Sequence, residues 1–311
     1  RSAVAEQYAG IDPDRVLIAA PQECIFLFLM SLLSPGDHVL VMSPAYQSLL
    51  SVPRAAGCQV TPIPVTEDGE GWVFDMDLLG REIKKNTACI IVNTPHNPTG
   101  LVLDVETRKI LAETAAKHGI PVFCDEMYRG LEYGFESTPP SFCEEYPEAV
   151  CLSGLSKASG LPGLRIGYLV SHNRRYIEAA AALKDYTTIC NAAPAEFLAE
   201  IAVRKREEIL RRTLALVRNN LTAVEALFRR YPRVLTLKKG TGGSTILPRF
   251  RPGLSSETVA KDLVKEEDTL LVPGTLFGMA PEYFRIGLGR RDLPETLKRF
   301  DRYLERHYGT P

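Results

Sequence analysis

Ser153-Gly-Leu-Ser-Lys157-Ala-Ser-Gly-Leu-Pro-Gly-Leu-Arg165-Ile-Gly-Tyr168 is the stretch on which the reading of this chain turns. It joins one lysine to one arginine through a glycine-rich turn. The apolar run before it, Ala149-Val-Cys-Leu152, reads as a short buried strand, and residues 164–170 read as another. Lys157 then lies in a loop at a strand end, where open α/β sheets bind their ligands. Its small neighbours leave room for a bulky planar group near the backbone. A lysine desolvated there loses its proton and can form an imine with an aldehyde. A lysine among glycines is otherwise an ordinary solvated residue, so the reading depends on its company.

The chain has 311 residues, 45% of them hydrophobic, which is enough for one large domain and a smaller one. A net charge of −1 gives no long-range field toward nucleic acid or a membrane surface. The seven cysteines are scattered through apolar runs with no CxxC pair, as expected of reduced thiols in a cytoplasmic protein. None of the five histidines has metal-ligand spacing, so no metal site is expected. No run approaches the roughly 18 apolar residues of a membrane span, and no signal peptide is recognisable. Residues 1–8 read as the middle of a helix without an N-cap or initiating methionine, which suggests a missing N-terminal segment. Asn220-Leu-Thr222 is a formal glycosylation sequon inside a helical pattern, and is read as chance.

Strand patterns at 16–20, 38–42, 59–65, 88–92, 120–124, 150–152 and 166–170 alternate with helical ones such as 106–118. Continuous apolar strands separated by helices imply an α/β fold, a three-layer α/β/α unit around a mostly parallel sheet of roughly seven strands. A long charged helical region follows at 195–230, its Arg204-Lys-Arg-Glu-Glu and Arg211-Arg212 clusters reading as a solvated face. Beyond Tyr231-Pro232 come strands at 234–237 and 244–250, a helix at 256–267, strands at 269–272 and 283–288, and a helix at 293–307. The expected division is a large domain, residues 1–205, and a smaller C-terminal α+β domain, residues 206–311.

Four segments give Lys157 its company. Asn93-Thr-Pro-His-Asn97-Pro98-Thr-Gly100 is a turn signature that also leaves the Asn97 amide at a buried strand end. Phe123-Cys-Asp125-Glu126-Met-Tyr128 places a carboxylate just past another strand, where it could keep a pyridine nitrogen protonated. Adjacent residues at a strand end face opposite ways, so only one of Asp125 and Glu126 is expected to point inward, and Asp125 is chosen. Arg285, within Tyr283-Phe-Arg285-Ile-Gly-Leu288, lies in an apolar pattern where an unpaired guanidinium is costly. It reads as either a structural ion pair or a bidentate receptor for a substrate carboxylate. Tyr46, in Ser43-Pro-Ala-Tyr46, is either core packing or a platform for a planar ring.

In this order, Asn97, Asp125, Tyr128, Lys157, Arg165 and Arg285 resemble the fold-type I, class I/II aminotransferase family over essentially the whole chain. The resemblance implies pyridoxal 5′-phosphate (PLP) as cofactor, with Lys157 carrying it as an imine and then serving as the proton-transfer base. It implies that Asp125 pairs with the pyridinium nitrogen, and that Asn97 and Tyr128 bond the phenolic oxygen. Tyr46 would stack on the ring, and Arg165, Ser156, Ala20 and Gln22 would hold the phosphate. Arg285, beside Asn97, would bind the α-carboxylate of an α-amino acid whose amino group passes to a 2-oxo acid. Two positions depart from the family pattern: Pro21 offers no N–H to the phosphate, and Gly154 stands where many members have serine or threonine. Ser153, Ser156 and the Gln22 amide are the expected substitutes.

The resemblance also implies a homodimer with active sites at the subunit interface, and an N-terminal arm that this chain lacks. No second arginine stands out as a distal carboxylate receptor, so a dicarboxylic substrate is not favoured. Two alternatives keep the cofactor. One is a lyase, decarboxylase, or cyclising or oxidising enzyme similar to capreomycidine synthase. The other is a non-catalytic PLP-sensing domain.

Overall fold

The computed structural model describes residues 1–69 and 71–309. An eight-stranded sheet forms its centre, from β1 (Val16–Ala19), β2 (His38–Ser43), β3 (Gln59–Asp68), β4 (Gly71–Phe74), β5 (Thr87–Asn93), β6 (Val122–Asp125), β7 (Ala149–Gly154) and β8 (Gly167–Val170). The spatial order is β1-β8-β7-β6-β5-β2-β3-β4. β7, β6, β5, β2 and β3 are mutually parallel. β8 runs antiparallel between β7 and β1, and β4 antiparallel along β3. β1 thus points the same way as β7, and the C-terminal ends of β1, β2, β5, β6 and β7 open on one edge.

The helices of this part are α1 (Ser2–Ala5), α2 (Pro21–Leu32), α3 (Gln47–Ala55), α4 (Met76–Glu82), α5 (Val105–His118), α6 (Phe142–Glu145), α7 (Arg174–Lys184) and α8 (Ala193–Arg204). Strand side chains alternate between two helix layers. Val39, Val41, Ile91, Phe123 and Leu152 pack with Leu27 and Phe28 of α2 and Ile177 of α7. Leu40, Ile90, Val92, Cys124 and Cys151 pack on the other face with Leu111 and Ala115 of α5 and with Phe142. Local signals agree with this packing: Asp104 caps α5 by accepting from Thr107 N–H at 2.8 Å, and Gly119 ends it in the left-handed region.

α9 (Arg206–Arg230) leads into a third core. There β9 (Leu235–Thr236), β10 (Thr245–Ile246), β11 (Arg249–Phe250), β12 (Val272–Pro273) and β13 (Phe284–Gly287) pack with α10 (Ser256–Glu267) and α11 (Leu293–Tyr308). Stacked Phe250 and Phe284, 4.4 Å between centroids, lie within it. Residues 240–243 stitch this part to the large sheet. Thr241 and Gly242 N–H both donate to Gly100 O, and a Cβ on Gly100 (φ +76°) would stand 2.9 Å from Gly242 O. Only glycine lets these chains touch.

The structure departs from the sequence reading at several points. The sheet gains a strand, because polar residues after Val65 continue β3 into an edge hairpin with β4, whose Trp72 and Phe74 are buried. The helical region 195–230 is two helices broken at Lys205, a site with no glycine or proline to mark it. The expected strand 244–250 is split at Leu247-Pro248, where proline removes a ladder donor. The strand expected at 269–272 begins only at Val272, since Asp268 leaves α10 in the left-handed region and Thr269 N–H still bonds Leu263 O. The helix read through residues 1–8 spans only Ser2–Ala5. The expected C-terminal unit ends at 311, of which 310 and 311 lie outside the described residues.

Asn220 is 2% exposed, and its amide donates to Leu288 O at 2.8 Å and Arg290 O at 2.7 Å, so the sequon is structural. Asn220→Ala strands two carbonyls. It should lower the unfolding free energy by roughly 1–3 kcal/mol, read from urea midpoints at unchanged m-value.

Candidate active site

Most candidate side chains lie at or just past the C-terminal ends of strands that point the same way in the large sheet. Ala20 follows β1, Tyr46 follows β2, Asn97 follows β5, Asp125 ends β6 with Tyr128 just beyond, and Ser156 and Lys157 follow β7. Arg285 reaches the same place from β13: its Nη1 donates to Asn97 Oδ1 at 3.3 Å, and its guanidinium lies 4.9 Å from the centre of the Phe277 ring. Tyr46 is 45% exposed at the start of α3, so it is not core packing. Arg165 is exposed in the left-handed region (φ 55°), its Nη1 donating to Pro162 O at 3.1 Å.

Asp125 and Glu126 are both buried, at 5% and 1% exposure, because both faces of the sheet are covered. Their partners separate them. Glu126 is fully engaged, accepting from Ser141 Oγ and Phe142 N–H, each at 2.7 Å, with Arg129 3.9 Å away. Asp125 Oδ1 accepts only from Met127 N–H at 3.0 Å. Burial, with Glu126 adding, pushes the Asp125 carboxyl up to about 6 against the opposing pull of Met127 N–H and Lys157.

Partial burial and the Arg285 charge lower the Lys157 pKa, which Asp125 opposes and Arg165 reinforces. Among the described residues, no carboxylate lies within ion-pairing distance of the amine. Tyr128 is 6% exposed, and burial together with Asp125 pushes its phenol up to about 12, leaving it a hydrogen-bond donor. Lys157, Asp125, Arg285, Tyr128 and Tyr46 are thus electrostatic neighbours.

The phosphate side bears on the two departures. Pro21 is the first residue of α2, where its missing N–H would have no helical partner anyway. The first helical bond runs from Cys24 N–H to Ala20 O, so the Gln22 and Glu23 amides stay free at the helix start. The Gln22 side chain donates one N–H to Ser48 Oγ at 2.6 Å, leaving its second Nε2 hydrogen and its backbone N–H to a ligand. Ser153 Oγ turns to Glu126 O at 3.4 Å and is not the substitute expected. Ser156 Oγ is buried without a partner, an orphan hydroxyl beside Lys157 that suits a phosphate oxygen. Gly154 has no room for a side chain, because a Cβ would stand 2.8 Å from Gly167 Cα. The residues present therefore fit a phosphorylated pyridine aldehyde.

Sequence reasoning missed Phe277 under Arg285 as well as Asn93 and His96, although the last two lie inside a motif it quoted. The aromatic next to the Gly278 turn was the available signal.

The sequence matches the family described as aminotransferase class I and II over residues 5–299. Aspartate aminotransferase of Pyrococcus horikoshii is 28% identical over 98% of this chain and 80% of its own length. A PLP-dependent aminotransferase from Streptococcus suis superposes with a TM-score of 0.91 at 28% identity, covering 98% of this chain and 80% of that one. The PLP-dependent cyclase OrfR superposes at 0.87 with 34% identity, covering 97% and 81%.

The raised Asp125 value makes a test on the cofactor-free protein. Between about pH 4 and 6 the folded state holds this proton more tightly than the unfolded chain, so the group's contribution to stability falls as pH rises. The loss is at most about 3 kcal/mol for a rise from 3.8 to about 6. Urea unfolding at pH 4.5 and 7 should show this slope in the parent chain and a flatter one in Asp125→Asn.

Proposed function

This chain belongs to the class I and II aminotransferase family and is a PLP-dependent aminotransferase, and from that premise we propose how its residues divide the work. When bound, PLP supplies a reactive carbonyl and an electron-withdrawing pyridinium ring. Lys157 carries the cofactor, and its Nζ then takes and returns the proton at the substrate α-carbon. The depressed amine pKa favours the neutral form that this role requires. Asp125 accepts from the ring N–H, and a cation there holds the carboxylate ionised despite its burial. Asn97 Nδ2 and the protonated Tyr128 hydroxyl donate to the phenolic oxygen, and Tyr46 covers one ring face. Ser156, Arg165, Gln22 and the backbone amides at the start of α2, just after Ala20, hold the phosphate.

Arg285 receives the α-carboxylate of the amino acid or 2-oxo acid. Asn97 Oδ1 and the Phe277 face fix its guanidinium without neutralising it, so the charge remains for a substrate. The observation that carries this reading is the meeting of Lys157, Asp125 and Arg285, three groups from three strands, at one sheet edge. Tyr186, Ile189, Phe197, Leu198 and Ile201 are all at least 43% exposed around the turn from α7 to α8, an apolar surface that suits a homodimer. Among the described residues no helix is long and apolar enough to cross a membrane. The free, mostly buried cysteines support a cytoplasmic location. The separate core formed by α9 from Val217 onward with α10 and α11 supports a smaller C-terminal unit entered by α9, whose Leu210 still packs with the large one.

The 34% identity to a PLP-dependent cyclase supports a second reading, in which the same residues serve a cyclisation of an amino acid. One experiment separates the two: PLP-loaded chain mixed with single amino acids in one turnover. Transamination leaves pyridoxamine phosphate and 2-oxo acid in equal amounts, whereas cyclisation returns the aldehyde and a ring product without 2-oxo acid. Lys157→Ala should slow either turnover by roughly a thousandfold or more.

A further inference from the structure

Two buried polar side chains near the cofactor-facing residues have no role in this division of work. Asn93 is 3% exposed, and its carboxamide is used at both ends. Nδ2 donates to Asp125 O at 2.7 Å, and Oδ1 accepts from Asn97 N–H at 2.7 Å. His96 is 1% exposed and equally committed. Its Nε2 lies 2.7 Å from Pro44 O, a pure acceptor, so the proton sits on Nε2. Its Nδ1, 2.7 Å from Thr99 Oγ1, then accepts from that hydroxyl, which itself accepts from Leu101 N–H at 3.2 Å. Burial pushes the imidazole down to about 4, so it stays neutral at physiological pH.

These bonds begin where the backbone ladders stop. The β5–β6 ladder ends at the Asn93–Asp125 pair, and Asn93 extends it with its side chain. The β2–β5 ladder ends at Val41–Ile91, so the Pro44–Tyr46 loop runs on without a ladder partner from β5. His96 ties that loop back to the Asn97 turn. A flat ring gripped at its nitrogen from β6, at its oxygen from β5 and over its face from β2 tolerates little relative slip among three strand ends.

We propose that Asn93 and His96 are positioning residues of the aminotransferase site, which hold Asp125, Asn97 and Tyr46 in the spacing the cofactor ring requires. This rests on the assignment of those three residues to the ring.

The test uses the whole chain with Asn93→Ala, His96→Ala and His96→Gln. It reads PLP affinity by titration, the pH midpoint of the bound cofactor's visible absorbance, and amide exchange at Asn97 without cofactor. Asn93→Ala and His96→Ala should each weaken PLP binding about tenfold and shift the midpoint. Exchange at Asn97 should accelerate in Asn93→Ala. His96→Gln can donate to Pro44 O and accept from Thr99, so it should recover most of the affinity. Parental affinity and midpoint in both alanine variants would overturn the proposal, even with a lower melting temperature. If Asn93→Ala does not fold, Asn93→Ser and the His96 pair decide in the same way. Failure of the underlying reading would show separately, as parental PLP binding in Asp125→Ala and Asn97→Ala.

Discussion

Backbone hydrogen bonding runs out at the C-terminal ends of parallel strands, and the active site is made from the ways this chain covers that deficit. A parallel ladder satisfies both faces of each inner strand only while its neighbours continue beside it. Past Asn93, Asp125 and Gly154 the chain must find other partners for its N–H and C=O groups. Some come from side chains, as with Asn93 on Asp125 O and Thr94 Oγ1 on Leu103 N–H. Others come from tight turns, as where Gly100 N–H returns to His96 O. At the start of α2 two amides are left free, and a ligand phosphate is their natural acceptor. The polar groups proposed to bind the cofactor and those that finish the sheet thus occupy the same few residues.

The same edge shows how neighbouring carboxylates acquire different chemistry. Asp125 and Glu126 are consecutive and both buried, yet Glu126 is saturated by Ser141, Phe142 N–H and Arg129 while Asp125 has one backbone bond. The saturated one serves as structure, tying α6 to the end of β6. The under-satisfied one is raised to about 6 and is available to a cationic partner. An unmet hydrogen-bonding capacity inside a fold costs stability, and at this site it is what binding a ring nitrogen would relieve.

Apolar strand runs and turn signatures made the sheet legible from sequence, because buried parallel strands have no polar alternation to confuse them. The proposed site residues could be picked out because they follow those strands directly, as Asn97 follows 88–92 and Lys157 follows 149–152. What escaped was set by contacts far apart in sequence. β4 has only four residues at the sheet edge and pairs with the polar end of β3, and the break at Lys205 carries no local marker. Gly154 looked like a lost hydroxyl until Gly167 proved to occupy the space. Ser153 and Ser156 could not be told apart by type, since only the fold turns one to Glu126 O and leaves the other unpaired.

In the proposed site, Arg285 and Lys157 would connect substrate binding to acid–base state. The guanidinium is held by a neutral amide oxygen and an aromatic face, neither of which cancels its charge. That charge is, after burial, the larger of the two cationic influences lowering the lysine pKa. A carboxylate docking on Arg285 would neutralise it and so make Nζ more basic when a substrate is in place. Burial still lowers the amine while a substrate is docked, so part of the bias toward the neutral form that the proposed base needs is kept. A site with the same lysine but an ion-paired Arg285 would lose this coupling, which is why the missing acidic partner matters as much as the arginine itself.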